Sequence, residues 1–450
     1  MEKNIIPIIV LITLLYMVLS NIKKEKKLYN LAYIDPITGL GNFNFFIEKT
    51  TENLIKYNNL DFYMLMLDIK KFKSFNKKYG HEVGKLILES LGNKLKAVLP
   101  DNSIISRFSS DVFGILLTSS NIDSLIDIIT DKTKNVVIGG QPYNLQLYIG
   151  IYKLVDEDID AYTIIDKSKI ALELAKEQIV TNVAFYNSDI EKQVLKEQEI
   201  ESIMEQALLN NEFKVFYQPK IDLNCPNNIC AEALVRWHSK NRIISPSEFI
   251  PLFEKNGFIL KLDLYIFEEV CKALVFWKSK YNKIPHVSVN VSKEHFYVKD
   301  FIVQYAKIVK KYGLINHNIE LEITESATVN DNIDIFEIIR DIKKQGFLIS
   351  IDDFGTGYSS LSMLQSLNID TIKIDKSFVD VIDIQKPNKN IIQDIIFLAH
   401  KLGLKTVAEG VENKAQLDYL KGLNCDFIQG YYFSKPLEKE DFEQIGKPFY

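Results

Sequence analysis

The chain has 450 residues, of which 47% are hydrophobic and 25% are charged, so it can bury large cores and form two or three domains. Its formal net charge is only −5, which excludes the overall basic field typical of proteins that bind DNA or RNA duplexes. The four cysteines lack the paired spacing of a metal site, so we expect reduced thiols in the cytosol.

The N-terminal segment is strongly apolar. Residues 5–22 read IIPIIVLITLLYMVLSNI and are followed by KKEKK at 23–27. The run is short for a bilayer span but lies within the usual range. A cleaved signal peptide would need small residues where this chain has lysines, and clustered lysines stay on the cytoplasmic side. We therefore predict that residues 1–27 are a membrane anchor with a basic flank, giving a single-pass cell-membrane protein with both domains cytoplasmic.

The residues from 28 to 187 are typical of one α/β domain. The run FYMLMLDIKKF predicts a buried strand that ends at Asp68, and KLILESLGNKLKAVL has the helical spacing of apolar residues. DVFGILL and NLQLYIGIYKL indicate further strands, and TIIDKSKIALELAKEQ indicates another amphipathic helix. Residues 188–209 are charged and lack Gly and Pro, so we predict a helix that links the domains and opens the second one.

From residue 210 to residue 446, short apolar runs alternate with helical segments, and several runs end in a polar cluster. These runs are CAEALVRW, HVSVNVS, IELEITES, FLISIDDFG, DTIKIDKS, LKTVAEGVE and DFIQGYYF. Strands that alternate with helices over this length predict a TIM-like (β/α) barrel. An open doubly wound sheet is the alternative, but no G-x-G-x-x-G loop supports it.

Residue parity predicts which side chains face the barrel interior, because side chains alternate faces along a strand. Glu320 and Glu322 lie opposite the isoleucines and leucine of IELEITES, and Lys373 lies opposite the isoleucines of TIKID. The apolar faces would pack on helices, and the polar faces would point inward near the C-terminal mouth, where barrel active sites form. The predicted inward carboxylates and amide are Glu232, Asn290, Glu322, Asp352, Asp353 and Glu409.

An oxygen-rich cluster of this type suits Mg²⁺ or Mn²⁺, and divalent cations would neutralise the adjacent Asp352 and Asp353. Two such ions and a positioned water suit phosphodiester hydrolysis, and Arg236 would add a phosphate contact. Any one strand-end carboxylate could instead be a helix cap or a surface charge. The metal site is favoured because successive βα units each deliver a polar residue to the same rim.

These residues resemble the EAL-domain cyclic di-GMP phosphodiesterases. The resemblance runs from about residue 195 to 442 and rests on QP (218–219), EALVRW (232–237), SVNVS, ELEITES, IDDFGTGYSSL, IKIDKSFV, VAEGVE and QGYYFSKP. It implies a barrel that opens cyclic di-GMP to linear pGpG with two Mg²⁺ or Mn²⁺ ions as cofactors.

The same resemblance implies roles for individual residues. The residues that match metal ligands are Glu232, Asn290, Glu322, Asp352 and Asp353. Five residues match catalytic positions: Lys373, Glu409, Gln429, Glu412 and Glu325. Lys373 would orient the attacking water, Glu409 would be metal-linked or a general base, and Gln429 would hold the water and metals. Glu412 matches a further active-site glutamate, and Glu325 would hold the loop DDFGTGYSS. Gln218, Leu234 and Arg236 match substrate contacts.

The first domain resembles a GGDEF diguanylate cyclase. DPITGLGN (35–42) is similar to the opening signature of that family, and DIKKFKSFNKKYGHEVGKLIL (68–88) is similar to its metal strand and guanine-binding helix. Asp68 matches a metal ligand and Asn76 a guanine contact, whereas Lys85 replaces the second guanine-binding acid.

The signature loop of this domain departs from the family. It reads RFSSDVF (107–113), so serines replace both glycines and Val112 replaces the following acid, although Asp111 could still bind a metal beside Asp68. Serine side chains would crowd the close approach of a triphosphate. The inhibitory-site RxxD is also missing, because residues 100–103 read PDNS. We expect a degenerate domain with a regulatory GTP-binding or dimerising role, with an inert scaffold as the alternative.

Three functions remain open at the level of sequence. The favoured one is a membrane-anchored, homodimeric cyclic di-GMP phosphodiesterase with a degenerate GGDEF domain in front. The second is a receptor that binds cyclic di-GMP without hydrolysing it, but receptors are expected to lose metal ligands or the loop glutamate, and this sequence keeps them. The third is a bifunctional or synthesising enzyme, which the SSDVF sequence disfavours.

Overall fold

The fold is that of a computed structural model, which divides into two compact units, Met1–Lys196 and Glu197–Tyr450. It describes residues 5–56, 62–155, 158, 160–178, 181–225, 229–240, 242–325, 327, 334–355, 361–383 and 390–445. Within these ranges, the side chains of residues 5–15, 229, 361–363, 383, 390 and 445 are not described.

The first unit begins with helix α1 (Ile5–Tyr33). Residues 1–4 and the side chains of residues 5–15 lie outside the described part, and much of the predicted anchor at 1–27 falls there. Among the residues that the structure describes, none of the helices has the length and apolar character needed to cross a membrane. The anchor stays a prediction.

The rest of the first unit is a five-stranded sheet with helices and one separate hairpin. Its elements are α2 (Phe43–Lys56), β1 (Phe62–Ile69), α3 (Phe72–Tyr79), α4 (His81–Val98), β2 (Ile104–Ser109), β3 (Val112–Thr118), α5 (Ile122–Lys134), β4 (Asn135–Ile138), β5 (Gln141–Asn144), β6 (Leu147–Lys153), α6 (Ala161–Glu177) and β7 (Val183–Phe185). The sheet order is β2-β3-β1-β6-β7, and only the β6–β7 pair is parallel.

Both faces of this sheet are buried, which explains why β1 is an almost continuous apolar run. Leu65 and Leu67 belong to a core with α4 and α5, whereas Met64 and Met66 belong to a second core with α2 and α6. Alternate side chains of β1 thus pack into two hydrophobic layers, one on each face of the sheet. Strand β1 also brings Asp68, near its end, opposite Val112, the first residue of β3.

The second unit begins within helix α7 (Ser188–Leu209), which contains the boundary between the units. Its elements are β8 (Phe213–Asp222), β9 (Ile229–His238), β10 (Ile243–Ile244), α8 (Pro246–Asn256), α9 (Ile259–Tyr281), β11 (Val287–Asn290), α10 (Phe301–Lys311), β12 (Ile319–Thr324), α11 (Ile335–Lys344), β13 (Leu348–Phe354), α12 (Leu361–Ser366), β14 (Thr371–Ile374), α13 (Lys376–Asp380), α14 (Asn390–Lys401), β15 (Lys405–Ala408), α15 (Lys414–Gly422), β16 (Phe427–Gln429) and α16 (Lys439–Ile445).

Eight of these strands close a barrel in the order β9-β11-β12-β13-β14-β15-β16-β8, with β8 pairing back to β9. The predicted barrel is confirmed, and it departs from a uniform (β/α) repeat at its start. Strand β8 is antiparallel to both of its neighbours, β9 and β16. Only the six residues 223–228 connect β8 to β9, a length that suffices for antiparallel neighbours and is too short for a parallel pair.

The polar face of the parallel strands is inside the barrel. On β12, Leu321 and Ile323 belong to the hydrophobic core around the barrel, whereas Glu322 on the other face is also buried. Strands β11 to β15 run parallel, so their C-terminal ends meet at one mouth. The sequence alternation therefore brings charged side chains from several strands into one interior.

Candidate active site

Lys373 on β14 is the centre of the site. Its ammonium is fully buried and lies 3.3 Å from Glu232 Oε2, 2.8 Å from Glu322 Oε2, 2.9 Å from Asp352 Oδ1 and 2.7 Å from Glu409 Oε1. Three of these carboxylates lie on strands β9, β12 and β13, and Glu409 directly follows β15. One cation thus holds together residues that are far apart in the sequence, and we call these five side chains the Lys373 cluster.

Amide side chains complete the wall of the cluster. Gln429 Nε2 donates to Glu232 Oε2 at 2.6 Å and to Gln218 Oε1 at 3.0 Å. Asn290 Nδ2 donates to the other Glu232 oxygen at 3.0 Å. Both oxygens of Glu232 are therefore oriented by amides, and Gln218 is tied in turn to the carbonyl of Ser434.

Asp353 joins the same opening through an irregular backbone. Simple alternation would point Asp352 and Asp353 to opposite faces of β13. Instead, the pairing of β13 with β14 shifts register between Ile351 and Phe354, and Asp353 has φ of +56°. This left-handed conformation is unusual for a non-glycine residue and typical of functional sites. As a result, ligand oxygens of Asp352, Asp353 and Glu409 all lie within 4.8 Å of one another.

The carboxylates of the Lys373 cluster differ in how strongly they hold protons. Burial would raise the pKa of Glu322, but the Lys373 and Lys220 charges outweigh it and lower that pKa to about 2. Burial is the largest cause of the raised pKa of Glu409, which is about 8. The Asp352 and Glu232 charges also raise this pKa, and Lys373 opposes them. Burial is also the main cause of the raised pKa values of Glu232 and Asp352.

The donor set fits divalent cations. Glu232, Glu322 and Asp352 form one trio of carboxylates with oxygens within 4.8 Å of one another, and Asp352, Asp353 and Glu409 form another. Asp352 belongs to both trios. Gln429 Oε1 is buried beside them and has no hydrogen-bond partner among the described residues. Hard oxygen ligands of this kind are what Mg²⁺ and Mn²⁺ prefer.

A cleft of about 290 Å³ opens over the cluster. Its lining includes Glu232, Asp352, Lys373 and Glu409 together with Gln218, Leu234, Lys376, Gly410, Glu412, Gln429, Gly430 and Tyr431. Of the three predicted substrate contacts, Gln218 and Leu234 thus line the cleft itself. Arg236 lies two residues beyond Leu234 on β9, half-buried, with its guanidinium 5.9 Å from the centre of the Phe216 ring.

Glu325 and Glu412 lie outside the Lys373 cluster. Glu325 is buried and accepts a hydrogen bond from the backbone N–H of Gly355 at 2.8 Å, at the start of the loop that it was predicted to hold. Residues 356–360 of that loop lie outside the described residues. Glu412 is exposed at the cleft and pairs with Lys376, which places it at the rim of the cluster.

Sequence reasoning missed Lys220 on β8. Its ammonium is buried and contacts Glu320 and Glu322. The signal was available, because Lys220 lies two residues after Gln218 and therefore on the same face of a strand. Lys376 was also missed, since a lysine at a strand end is ordinary in a sequence.

The first unit places Asp68 and Asp111 close together, as predicted. Asp68 pairs with Lys176 at 2.6 Å, and burial together with the Asp68 charge raises the pKa of Asp111. The turn that carries Asp111 is held by Arg107, which donates to the carbonyl of Ser110. Asn76 lies on α3, and its Oδ1 is buried without a hydrogen-bond partner among the described residues.

Each of the two units matches a known protein family. Residues 201–436, more than half of the chain, match the family described as EAL domain, so the chain belongs to the EAL-domain family. Residues 32–181 match the family described as diguanylate cyclase, GGDEF domain. The two domains therefore stand in tandem. The degeneracy of the GGDEF domain stays a prediction.

Individual relatives extend this assignment. The signaling protein YkoW of Bacillus subtilis is 33% identical over 441 residues, which cover 94% of this chain and 54% of that protein. The cyclic di-GMP phosphodiesterase NbdA of Pseudomonas aeruginosa is 29% identical over 429 residues, covering 94% and 55%. This chain therefore spans about half the length of the curated relatives that it matches.

A solved structure is similar to part of this chain. It is the phosphodiesterase of Pseudomonas aeruginosa MucR in complex with c-di-GMP, with 32% sequence identity and a TM-score of 0.51. The match covers 54% of this chain and 99% of that one.

The raised pKa of Glu409 predicts how stability depends on pH when divalent cations are chelated. Between about pH 5 and pH 8, native Glu409 keeps a proton that the unfolded chain has released. Because the native state binds more protons there, the free energy of unfolding should fall as pH rises. Thermal unfolding in EDTA should show this loss, and Glu409→Gln should reduce it.

The control for this prediction is Glu412→Gln, which removes an exposed carboxyl at the same cleft and should leave the pH dependence as in the parent chain. An equal pH dependence in Glu409→Gln and the parent would contradict the assignment of the proton to Glu409.

Proposed function

We propose that this chain is a phosphodiesterase that hydrolyses cyclic di-GMP to linear pGpG. The observation that carries the proposal is the Lys373 cluster, in which four carboxylates, on or directly after four strands, converge on one buried lysine. Membership of the EAL-domain family and the names of NbdA and the MucR structure support the same substrate.

The proposed cofactors are two Mg²⁺ or Mn²⁺ ions. Glu232, Glu322 and Asp352 would hold one, Asp352, Asp353 and Glu409 would hold the other, and Asn290 and Gln429 would complete the set. When bound, such ions acidify a water molecule and neutralise charge on the phosphate under attack. Asp352 belongs to both carboxylate trios, which supports a pair of neighbouring ions.

The residues of the chain would position the reactants. The Lys373 ammonium has three N–H donors, and all of them are directed at the four carboxylates in this structure. Lys373 would orient an attacking water once one of those carboxylates turns to a bound ion and releases a donor. Glu409, 2.7 Å from the Lys373 ammonium, would either hold an ion or accept a proton from the attacking water. Gln218 and Leu234 in the cleft wall and Arg236 further along β9 would hold the dinucleotide, with the guanidinium available to a phosphate.

Asp352→Asn and Glu232→Ala should each reduce hydrolysis of cyclic di-GMP at least about a hundredfold, since several kcal/mol of charge stabilisation would be lost. The measurement is the formation of pGpG with Mg²⁺ or Mn²⁺ by the full chain. Asp418→Asn removes an exposed carboxyl on α15 and should keep the parent rate.

Parent-like turnover in Asp352→Asn or Glu232→Ala would contradict the proposal. If the parent chain binds cyclic di-GMP tightly but forms no pGpG with either metal, the protein is a receptor instead.

For the first unit, we propose a regulatory role in which GTP binds without being cyclised. The serines of the signature loop and Val112 argue against cyclisation. Asn76, whose buried Oδ1 is without a hydrogen-bond partner among the described residues, offers an acceptor for a guanine. Lys176 beside Asp68 offers a cation for a phosphate.

GTP should raise the rate of cyclic di-GMP hydrolysis severalfold, within the range of ordinary coupling energies between two sites. The same incubation should form no cyclic di-GMP. Asn76→Ala should abolish the GTP effect, whereas Lys77→Ala, an exposed change on the same helix, should keep it. Cyclic di-GMP produced from GTP would identify an active cyclase. A rate of cyclic di-GMP hydrolysis that does not change with GTP would favour an inert scaffold.

We also propose that residues 1–27 anchor the chain in the cell membrane with both domains in the cytoplasm. The apolar residues 5–22 and the lysines at 23–27 support this. Leu11→Arg combined with Leu14→Arg should move the protein from the membrane to the soluble fraction, since each arginine costs about 3 kcal/mol in a bilayer centre. The control substitution Leu31→Arg lies outside the apolar run and should leave the protein in the membrane fraction. Soluble parent protein would contradict the anchor.

A further inference from the structure

Lys220 is a buried cation beneath the Lys373 cluster, with no role assigned by the sequence patterns above. It lies on β8 and is only 2% exposed. Its ammonium donates to Ser288 Oγ at 2.7 Å, to Glu320 Oε2 at 3.2 Å and to Glu322 Oε1 at 3.4 Å. Lys220 therefore bridges Glu320, which is outside the cluster, and Glu322, which belongs to it.

Glu322 is held from both sides as a result. Lys373 binds Oε2 at 2.8 Å, and Lys220 contacts Oε1. Ser288, which receives the hydrogen bond from Lys220, also interacts with Glu322. A carboxylate with a separate cation on each oxygen cannot rotate freely, so its plane and the direction of its free lone pairs are fixed.

Lys220 also lines a cavity outside the Lys373 cluster. A cavity of about 460 Å³ lies at the end of the barrel where the parallel strands begin. Lys220 and Glu320 line it, together with Thr371, Lys405 and Phe427, the first residues of β14, β15 and β16. The Lys220 side chain thus lines this cavity while its ammonium reaches Glu322.

We propose that Lys220 is a positioning residue for the metal site: it fixes Glu322 through Oε1 and closes the floor of the Lys373 cluster against the cavity below. This inference rests on the proposed function, because it concerns the same divalent-cation site. The competing account is that Lys220 only neutralises Glu320 and so contributes to folding.

The sign of a metal-affinity change separates the two accounts. Removing a positive charge near a cation site strengthens cation binding by Coulomb's law. Lys220→Met combined with Glu320→Gln removes one charge of each sign and leaves the interior charge unchanged. Weaker metal binding in this double variant would therefore report the loss of Glu322 positioning.

The experiment is Mn²⁺ binding by calorimetry, with the full chain and without substrate. The double variant should bind Mn²⁺ about 10- to 100-fold more weakly, as residues that orient metal ligands commonly do when they are removed. The matched control is Lys343→Met with Asp370→Asn, which removes another lysine–carboxylate pair, 2.7 Å apart. Asp370 lines the same cavity, and neither residue belongs to the Lys373 cluster. The Mn²⁺ affinity of this control should stay within about twofold of the parent.

Unchanged or tighter Mn²⁺ binding in the double variant would overturn the proposal. If that variant does not fold, Ser288→Ala serves instead, because it removes the hydroxyl that contacts both Lys220 and Glu322 and keeps the charges of Lys220 and Glu320. It should weaken Mn²⁺ binding, and parent-like binding would again overturn the proposal. A parent chain that binds no Mn²⁺ would overturn the proposed metal site itself, which distinguishes the two failures.

Discussion

The contact between Lys373 and four carboxylates is the constraint on which the second unit depends. Among the residues that the structure describes, the barrel interior buries or largely buries five carboxylates but only two lysines, Lys220 and Lys373. The carboxylates are Glu232, Glu320, Glu322, Asp352 and Glu409. Desolvated carboxylates repel one another strongly, and a buried charge without a partner is costly. An interior with this surplus of negative charge is stable only if protons or added cations balance it. The raised pKa values of Glu409 and Asp352 show that bound protons can balance part of this negative charge. Divalent cations are the other way to balance it.

The barrel supplies this arrangement by ordinary rules of strand geometry and by two exceptions. Parallel strands with period-2 alternation deliver polar side chains to the interior, among them Glu320 and Glu322 from β12 and Lys373 from β14. The first exception is β8, whose antiparallel pairing with β9 and β16 closes the barrel and brings in Gln218 and Lys220. The second is the register shift in β13, where the left-handed Asp353 lets two consecutive aspartates serve one opening. Both exceptions lie directly at the site, where backbone irregularity is expected to have a function.

Much of this was predictable from sequence because the signal was periodic. Alternation in IELEITES and TIKID is enough to turn Glu322 and Lys373 inward, and the βα repeat is enough to predict a barrel. Alternation alone would turn Asp353 away from Asp352, so the predicted place of Asp353 in the cluster depended on the pairing of adjacent aspartates with divalent cations. The backbone achieves it through one left-handed residue. Alternation also could not predict the direction of β8, because parallel and antiparallel strands share the same periodicity. Lys220 was overlooked although its parity with Gln218 was readable, because a lone lysine in a strand carries no motif.

The most direct test of this account is the location of Mn²⁺ in crystals of the full chain by its anomalous scattering. The account predicts two peaks on either side of Asp352, one beside Glu232 and Glu322 and the other beside Asp353 and Glu409. With the ions bound, Lys373 should keep its hydrogen-bonding position but no longer be the sole cation in contact with all four carboxylates. The absence of any peak at saturating Mn²⁺, with Lys373 still contacting all four, would show that the lysine and bound protons alone balance the cluster and would contradict a metal-dependent phosphodiesterase.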